Sequence, residues 1–221
     1  MRKAFDSVGL KMLKKALTRI KLPEGTISLI MSLFKRRKIK VITSFGLTEE
    51  FEAEDGLDQG EVISPLAWQI FYDLLLCVVK DEINLGYHML TNWLIDLVHN
   101  KTKVFEHSQA VLAYANDTTW ITRSKMELQK ISNIANEFYK INDIEINSKK
   151  SELIVLNSNT KEKKAKDTLT IIVGKSYDRV TAKKNSELAR YLGVWILSKK
   201  NQNDSLSIIK NEVSRMCKIL K

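Results

Sequence analysis

Apolar residues recur at helical spacing near the start of the chain. Leu10, Leu13, Leu17 and Ile20 share one face, while Lys11, Lys14, Lys15 and Arg19 fall on the others. This pattern predicts an amphipathic helix. A second helix is predicted from Pro23, because proline is favoured in a first helical turn. Ile27, Ile30, Met31 and Phe34 form its apolar stripe. Residues 39–44 and 47–54 read as two strands joined at Phe45-Gly46. Gly56-Leu57-Asp58-Gln59-Gly60 follows as a flexible loop. Ser64 and Pro65 then predict a helix start, a capping hydroxyl followed by proline. That helix runs to about Lys80 and is apolar almost all round, the mark of a buried central element.

Residues 85–108 are the least legible stretch. From Val111 the chain reads as an apolar run, two short polar residues, and a second β-prone run from Thr118 to Thr122. The pattern predicts a hairpin with Asn116-Asp117 at its tip, since both residue types tolerate the left-handed backbone of tight turns. Ser124 and Glu127 form a capping box. It opens a helix with Leu128, Ile131, Ala135 and Phe138 on one face. Further strands are predicted at Glu152–Asn157, Thr168–Val173, Asp178–Ala182 and Tyr191–Leu197, with Lys161–Lys166 as a solvated loop. A last helix is predicted from Asn203 or Asp204. Its apolar positions Leu206, Ile209, Val213, Met216 and Leu220 span only two heptads, which is helix packing and not a coiled coil. The order of elements predicts an α+β fold, with antiparallel strands on one face and helices on the other.

Composition narrows the class. A chain of 221 residues makes one large domain or two small ones. The net charge of +10 suggests a polyanionic partner, although charge alone describes only non-specific attraction. The two cysteines and three histidines are scattered and do not form a zinc site. Cys77 reads as a small buried hydrophobe. Met1 to Asp6 has no apolar core of signal-peptide type. Val62–Val79 is interrupted by Pro65, Gln69 and Asp73, so it reads as a core helix and not a membrane span. An intracellular soluble protein is the expectation. The run Lys35-Arg36-Arg37-Lys38, with Lys40 close behind, has two readings. It is a solvated helix end that complements the dipole, or a contact to nucleic-acid phosphates.

A carboxylate lifted by a hairpin is an ordinary turn residue, and also a way to hold a divalent cation. Tyr114-Ala115-Asn116-Asp117 resembles the Y/F-A-D-D box of reverse transcriptases, most closely those of LINE-type retrotransposons. Other blocks resemble the family in the same order. Lys3-Ala4-Phe5-Asp6-Ser7-Val8 is similar to the tail of its first catalytic block, and Gln59 to Leu66 to its Q-G-x-x-x-S-P-L block. Asn147-Ser148-Lys149-Lys150-Ser151 is similar to N-x-x-K-S/T, and Tyr191-Leu192-Gly193-Val194 to Y-L-G-V.

The resemblance implies a polymerase palm over residues 1–200 and the start of a thumb-like helix over 201–221. It implies DNA synthesis from an RNA template and DNA primer, with deoxynucleotides and Mg²⁺ and a nuclear location. Such transfer relies on positioning and on a two-metal clamp. Asp117 would be a metal ligand, with Asn116 beside it. Phe5 would pack under the incoming sugar, or is an ordinary core aromatic. Gln59 and Gly60 would lie against the template base and nucleotide, where glycine permits close approach. Lys150 would protonate the leaving pyrophosphate, or is a surface charge.

The chain departs from the family pattern at the carboxylates. Asn116 stands where the family has the first Asp of the pair, and it is neutral. The Asp of the first block would fall just before Met1. By spacing, Asp6 does not replace it and is a loop residue. The expectation is a piece of a longer domain, lacking fingers and thumb, without activity as written. It is then either a dead palm that binds nucleic acid non-specifically through its basic surface, or a decayed fragment without function.

Overall fold

The computed structural model describes residues 1, 4–53, 55–82, 85–96, 101–156, 169–174, 177–184, 187 and 189–196. These fall into two units. The first comprises Met1–Asn147 with Val173–Ser176, and the second Ser148–Ile172 with Tyr177–Lys221. The sequence-based boundary at residue 200, the Lys161–Lys166 loop and the last helix lie outside the described residues.

In the first unit, α1 spans Leu10–Arg19 and buries Leu10, Leu13, Ala16 and Leu17, which is the expected stripe. Gly9 precedes it and carries no capping side chain. Asp55 supplies one from a distant loop, accepting the Leu10 N–H at 3.0 Å. α2 spans Glu24–Phe34, with Pro23 just outside as its N-cap. The next stretch is a single hairpin broken in the middle. β1 (Arg37–Ile39) pairs with β4 (Phe51–Ala53), and β2 (Ile42–Thr43) with β3 (Gly46–Leu47). The break has a local cause. The Thr48 hydroxyl, not a backbone carbonyl, accepts the Val41 N–H at 2.9 Å, so a side chain interrupts the ladder. Thr43 faces Gly46, which moves the tip from the expected Phe45-Gly46 to Ser44-Phe45.

α3 spans Ser64–Asp81. It packs against α1 and against α4, the helix Lys125–Ile141. Ala67, Trp68, Phe71, Tyr72, Leu75 and Val79 are buried, but Leu66, Leu74 and Val78 are exposed. The helix is therefore covered on one side only, not all round as its composition suggests. Cys77 is half-buried, with its Sγ 3.5 Å from the Asp73 carboxylate and not in a purely apolar setting. An antiparallel ribbon follows, β5 (Tyr87–Asp96) paired with β6 (Lys101–Gln109). β7 (Val111–Tyr114) and β8 (Asp117–Trp120) form the next hairpin. The capping box opens α4 as expected on one side, with Ser124 Oγ accepting the Glu127 N–H at 3.2 Å. The Glu127 carboxylate reaches one residue further back, accepting the Arg123 N–H at 3.3 Å.

In the second unit, Ser148–Lys150 is a short 3-10 helix. β9 (Thr170–Val173), whose last residue is counted with the first unit, pairs with β10 (Asp178–Thr181). Of the strand expected over Glu152–Asn157, the described residues show one parallel bridge, Leu153 to Ala182, and Asn157 lies outside them. The single strand expected from Tyr191 folds back on itself. β11 (Ala189–Tyr191) pairs with β12 (Val194–Ile196). Leu192 (φ 47°) and Gly193 (φ 83°) turn between them, both left-handed as a two-residue hairpin turn of this hand requires.

The fold is α+β. Among the described residues the strands join two by two, not as one broad sheet. Among them, no helix is long and apolar enough to cross a membrane.

Candidate functional site

Three segments of the first unit meet at a cleft: the turn of residues 4–7, the loop 55–60 running into α3, and the β7–β8 turn. The first two are tied by backbone bonds. Leu57 N–H donates to the Phe5 carbonyl at 2.9 Å and Gly56 N–H to the Val8 carbonyl at 3.0 Å. Gly56 has φ 91°, and a Cβ there would lie 3.0 Å from the Asp6 backbone. Only glycine meets both demands.

Arg37 holds the same loop from the other side. Its Nε donates to the Phe34 carbonyl at 3.0 Å. Its Nη2 donates to the carbonyls of Asp55 at 2.8 Å and Gly56 at 2.9 Å, and Nη1 pairs with the Asp58 carboxylate. The planar guanidinium fork suits this multiple duty. Only 12% of the side chain is exposed. The neighbouring Lys35 and Arg36 are exposed, and Lys38 pairs with Glu50 at 2.9 Å.

The β7–β8 turn is anchored to α3. Trp68 Nε1 donates to the Ala115 carbonyl at 2.8 Å. Tyr72 and Thr118 share a hydroxyl bond of 3.0 Å, and Tyr72 and Tyr139 one of 2.6 Å. Burial pushes the Tyr72 phenol above its ordinary range, and pushes the Tyr139 phenol well above it, because the charged form is denied water. Tyr114 faces Asp117 across the hairpin. The tip is therefore Ala115-Asn116, not Asn116-Asp117, and Asp117 is the first residue of β8. Ala115 takes the left-handed backbone, φ 49°. That conformation costs an L-residue about 1–2 kcal/mol, and the Trp68 bond to its carbonyl helps hold it.

The cleft has a volume of about 330 Å³. Ala4 and Phe5 form one wall, Asp58, Gln59 and Gly60 another, and Ser64, Pro65 and Asn116 complete it. The Phe5 ring lies 5.6 Å from that of Trp68. Of the residues singled out from sequence, Phe5, Gln59, Gly60 and Asn116 meet here. Asp117 adjoins the cleft but is exposed and outside its lining. Phe5 and Asp6 lie in the turn of residues 4–7, as expected for Asp6. Lys150 is exposed in the second unit. Sequence reasoning missed Asp58 and Ser64 as lining residues, and the clamping role of Arg37. Asp58 sits inside the Gly56–Gly60 loop, so its place beside Gln59 was a usable signal.

The two-metal clamp that the resemblance implies needs several oxygen anions close together. The β7–β8 turn offers one carboxylate, Asp117, and one neutral carboxamide, Asn116. Among the described residues no group of three or more His, Cys, Asp or Glu is placed to hold a metal ion. The donor set of these residues does not fit that clamp.

No curated protein matches the chain. The family model for reverse transcriptase (RNA-dependent DNA polymerase) matches residues 1–196, nearly the whole sequence, and the chain belongs to the reverse transcriptase family.

Proposed function

We propose that this chain is a palm of LINE-type descent, acting in the nucleus, that keeps a nucleotide cleft and a basic nucleic-acid surface but does not transfer nucleotides efficiently. The family works on a nucleic-acid template and nucleotide substrates, with divalent metal. One observation carries the reading of weak transfer. Asn116, which lines the cleft, stands where the family pattern has a carboxylate. A carboxamide keeps the shape and an oxygen donor but removes a full negative charge beside a divalent ion. Bound metal would neutralise charge developing on the transferred phosphate. The chain's own residues do the rest. Phe5 gives the apolar wall for a sugar, and Gln59 and Gly60 present backbone and carboxamide to a base. Lys35, Arg36 and Lys38 face phosphates, and Lys150 is the proton donor the family pattern assigns.

The test is primer extension on an RNA template with a DNA primer, Mg²⁺ and deoxynucleotides, alongside binding to the same hybrid. The expected result is binding without extension. Extension by the unaltered chain that disappears in Asp117→Ala would overturn the proposal. Absence of binding at low salt would favour the alternative of a decayed fragment without function.

A further inference from the structure

We propose that one face of the β5–β6 ribbon, the face that carries Trp93 and Phe105, is a stacking platform for single-stranded nucleic acid, separate from the cleft.

The register of the ribbon decides which side chains share that face. Trp93 stands opposite Lys103, Thr91 opposite Phe105, and Met89 opposite His107. Directly opposed residues point to the same side of a sheet, and so do alternate residues along each strand. The rungs of one face follow each other about 6.8 Å apart, and Tyr87 begins the row. Trp93 is 64% exposed and Phe105 48%, and Tyr87 and Met89 are exposed as well. Large apolar side chains gathered on one exposed face mark an interaction surface. The ribbon is tied to the hairpin that follows it, because Gln109 Nε2 donates to the carbonyl of Val111, the first residue of β7. β7 then runs to the tip that carries Asn116 at the cleft. The platform therefore leaves the β7–β8 hairpin at the end away from the cleft.

Charge says what the face meets. Lys103 Nζ lies 5.3 Å from the centroid of the Phe105 ring. Glu106 stands opposite Leu90 and so belongs to the other face, where its carboxylate lies 3.7 Å from His88 Nδ1. The ribbon thus sorts a cation and aromatic rings to one side and a carboxylate to the other. Rings beside a cation are the pairing that suits a single strand: a ring stacks on any base, and the cation meets the backbone. A duplex keeps its base faces inside its own stack, so it would gain only the charge. A second copy of the chain fits this face less well. A twofold contact sets a cationic face against the same face of its partner.

The experiment titrates the full chain into a fluorescein-labelled oligouridylate of about 12 nucleotides and into a labelled blunt-ended RNA–DNA hybrid, reading anisotropy across a salt series. Trp93→Ala with Phe105→Ala should weaken oligouridylate binding about tenfold. It should leave hybrid binding within about twofold and the urea midpoint unchanged, since both rings are exposed. Trp93→Phe with Phe105→Tyr should keep most of the affinity, because a ring remains at each place. Lys103→Ala should lower the single-strand salt slope by about 0.7 unit. Absence of oligouridylate binding, or equal binding by the doubly Ala-substituted chain, would overturn the inference. Equal losses for both nucleic acids with a lower urea midpoint would assign the rings to the fold and also overturn it. So would a dimer in sedimentation that the double Ala substitution dissociates while oligouridylate binding stays the same, since the occupant is then a second copy. Oligouridylate binding without hybrid binding in the unaltered chain would count against the surface at Lys35, Arg36 and Lys38 while supporting this one.

Discussion

The guanidinium of Arg37 bonds to the Phe34, Asp55 and Gly56 carbonyls and to the Asp58 carboxylate. Removing it leaves those acceptors short of a donor in a half-buried place. Arg37→Ala should therefore cost about 3 kcal/mol in urea unfolding, whereas exposed Lys35→Ala should stay within about 0.5 kcal/mol. Arg37→Lys should recover little, since an ammonium cannot reproduce the fork. Equal small losses at both positions would return Arg37 to the solvated run. Tyr139 makes a second prediction at this scale. Its buried phenol is pushed well above the ordinary range, which begins near pKa ~10 in an unfolded chain. Above about pH 10 the unfolded state releases a proton that the folded state keeps, so stability should fall as pH rises. Below that pH the contribution is fully present. Tyr139→Phe should flatten the alkaline part of a stability–pH curve, and an unchanged slope would show that this phenol does not control it. Neither residue role was legible in sequence. The letters show a charge or an aromatic, but not the distant carbonyl or hydroxyl it meets.

Helices were the legible elements, because an apolar stripe every three or four residues needs no knowledge of the partner. α1 and α4 follow their stripes, and Ser124 caps α4 as read. Hairpins were less legible because side chains far from the turn decide their details. Thr48 breaks the first one, and Trp68 grips the Ala115 carbonyl at the tip of another. Leu192 turns left-handed in a place where leucine gives no warning. The ribbon of β5 and β6 mixes polar and apolar residues on both faces, so no period-two signal marks it. The first hairpin and the helix before it carry a prediction. Salt-dependent binding to an RNA–DNA hybrid should weaken when Lys35, Arg36 and Lys38 are changed to Ala together. Each phosphate contact contributes close to one unit to the log–log salt slope. Lys38 is shared with Glu50, so the slope should drop by about two units, not three. An unchanged slope would make the run a solvated helix end after all.

At the scale of the molecule, the family blocks were legible over nearly the whole chain, and the cleft assembled from residues more than 50 positions apart in sequence. What sequence could not give was which residue of the Asn116-Asp117 pair lines it. A one-residue shift of the turn decides that, because it leaves Asn116 at the tip and makes Asp117 the first residue of β8. The shift sharpens the prediction on repair. Asn116→Asp would place a carboxylate in the cleft lining itself, beside Asp117 at the start of β8. Among the described residues no third carboxylate is placed to join them, and two divalent ions held with substrate phosphates need several oxygen anions. Asn116→Asp alone should therefore yield little primer extension. A chain extended to carry Asp immediately before Met1, with fingers and thumb regions supplied, should also yield little while Asn116 remains. Both changes together should give extension well above the sum of the two, because residues of one site act as a unit and their effects do not add. In that repaired chain Asp117→Ala should abolish the product. Full extension from the extended chain with Asn116 intact would show that the carboxamide suffices as a ligand and would remove the basis for calling the site weakened. No extension from the doubly repaired chain, with hybrid binding retained, would put the defect outside the β7–β8 turn, and β5 and β6 would be the next elements to replace.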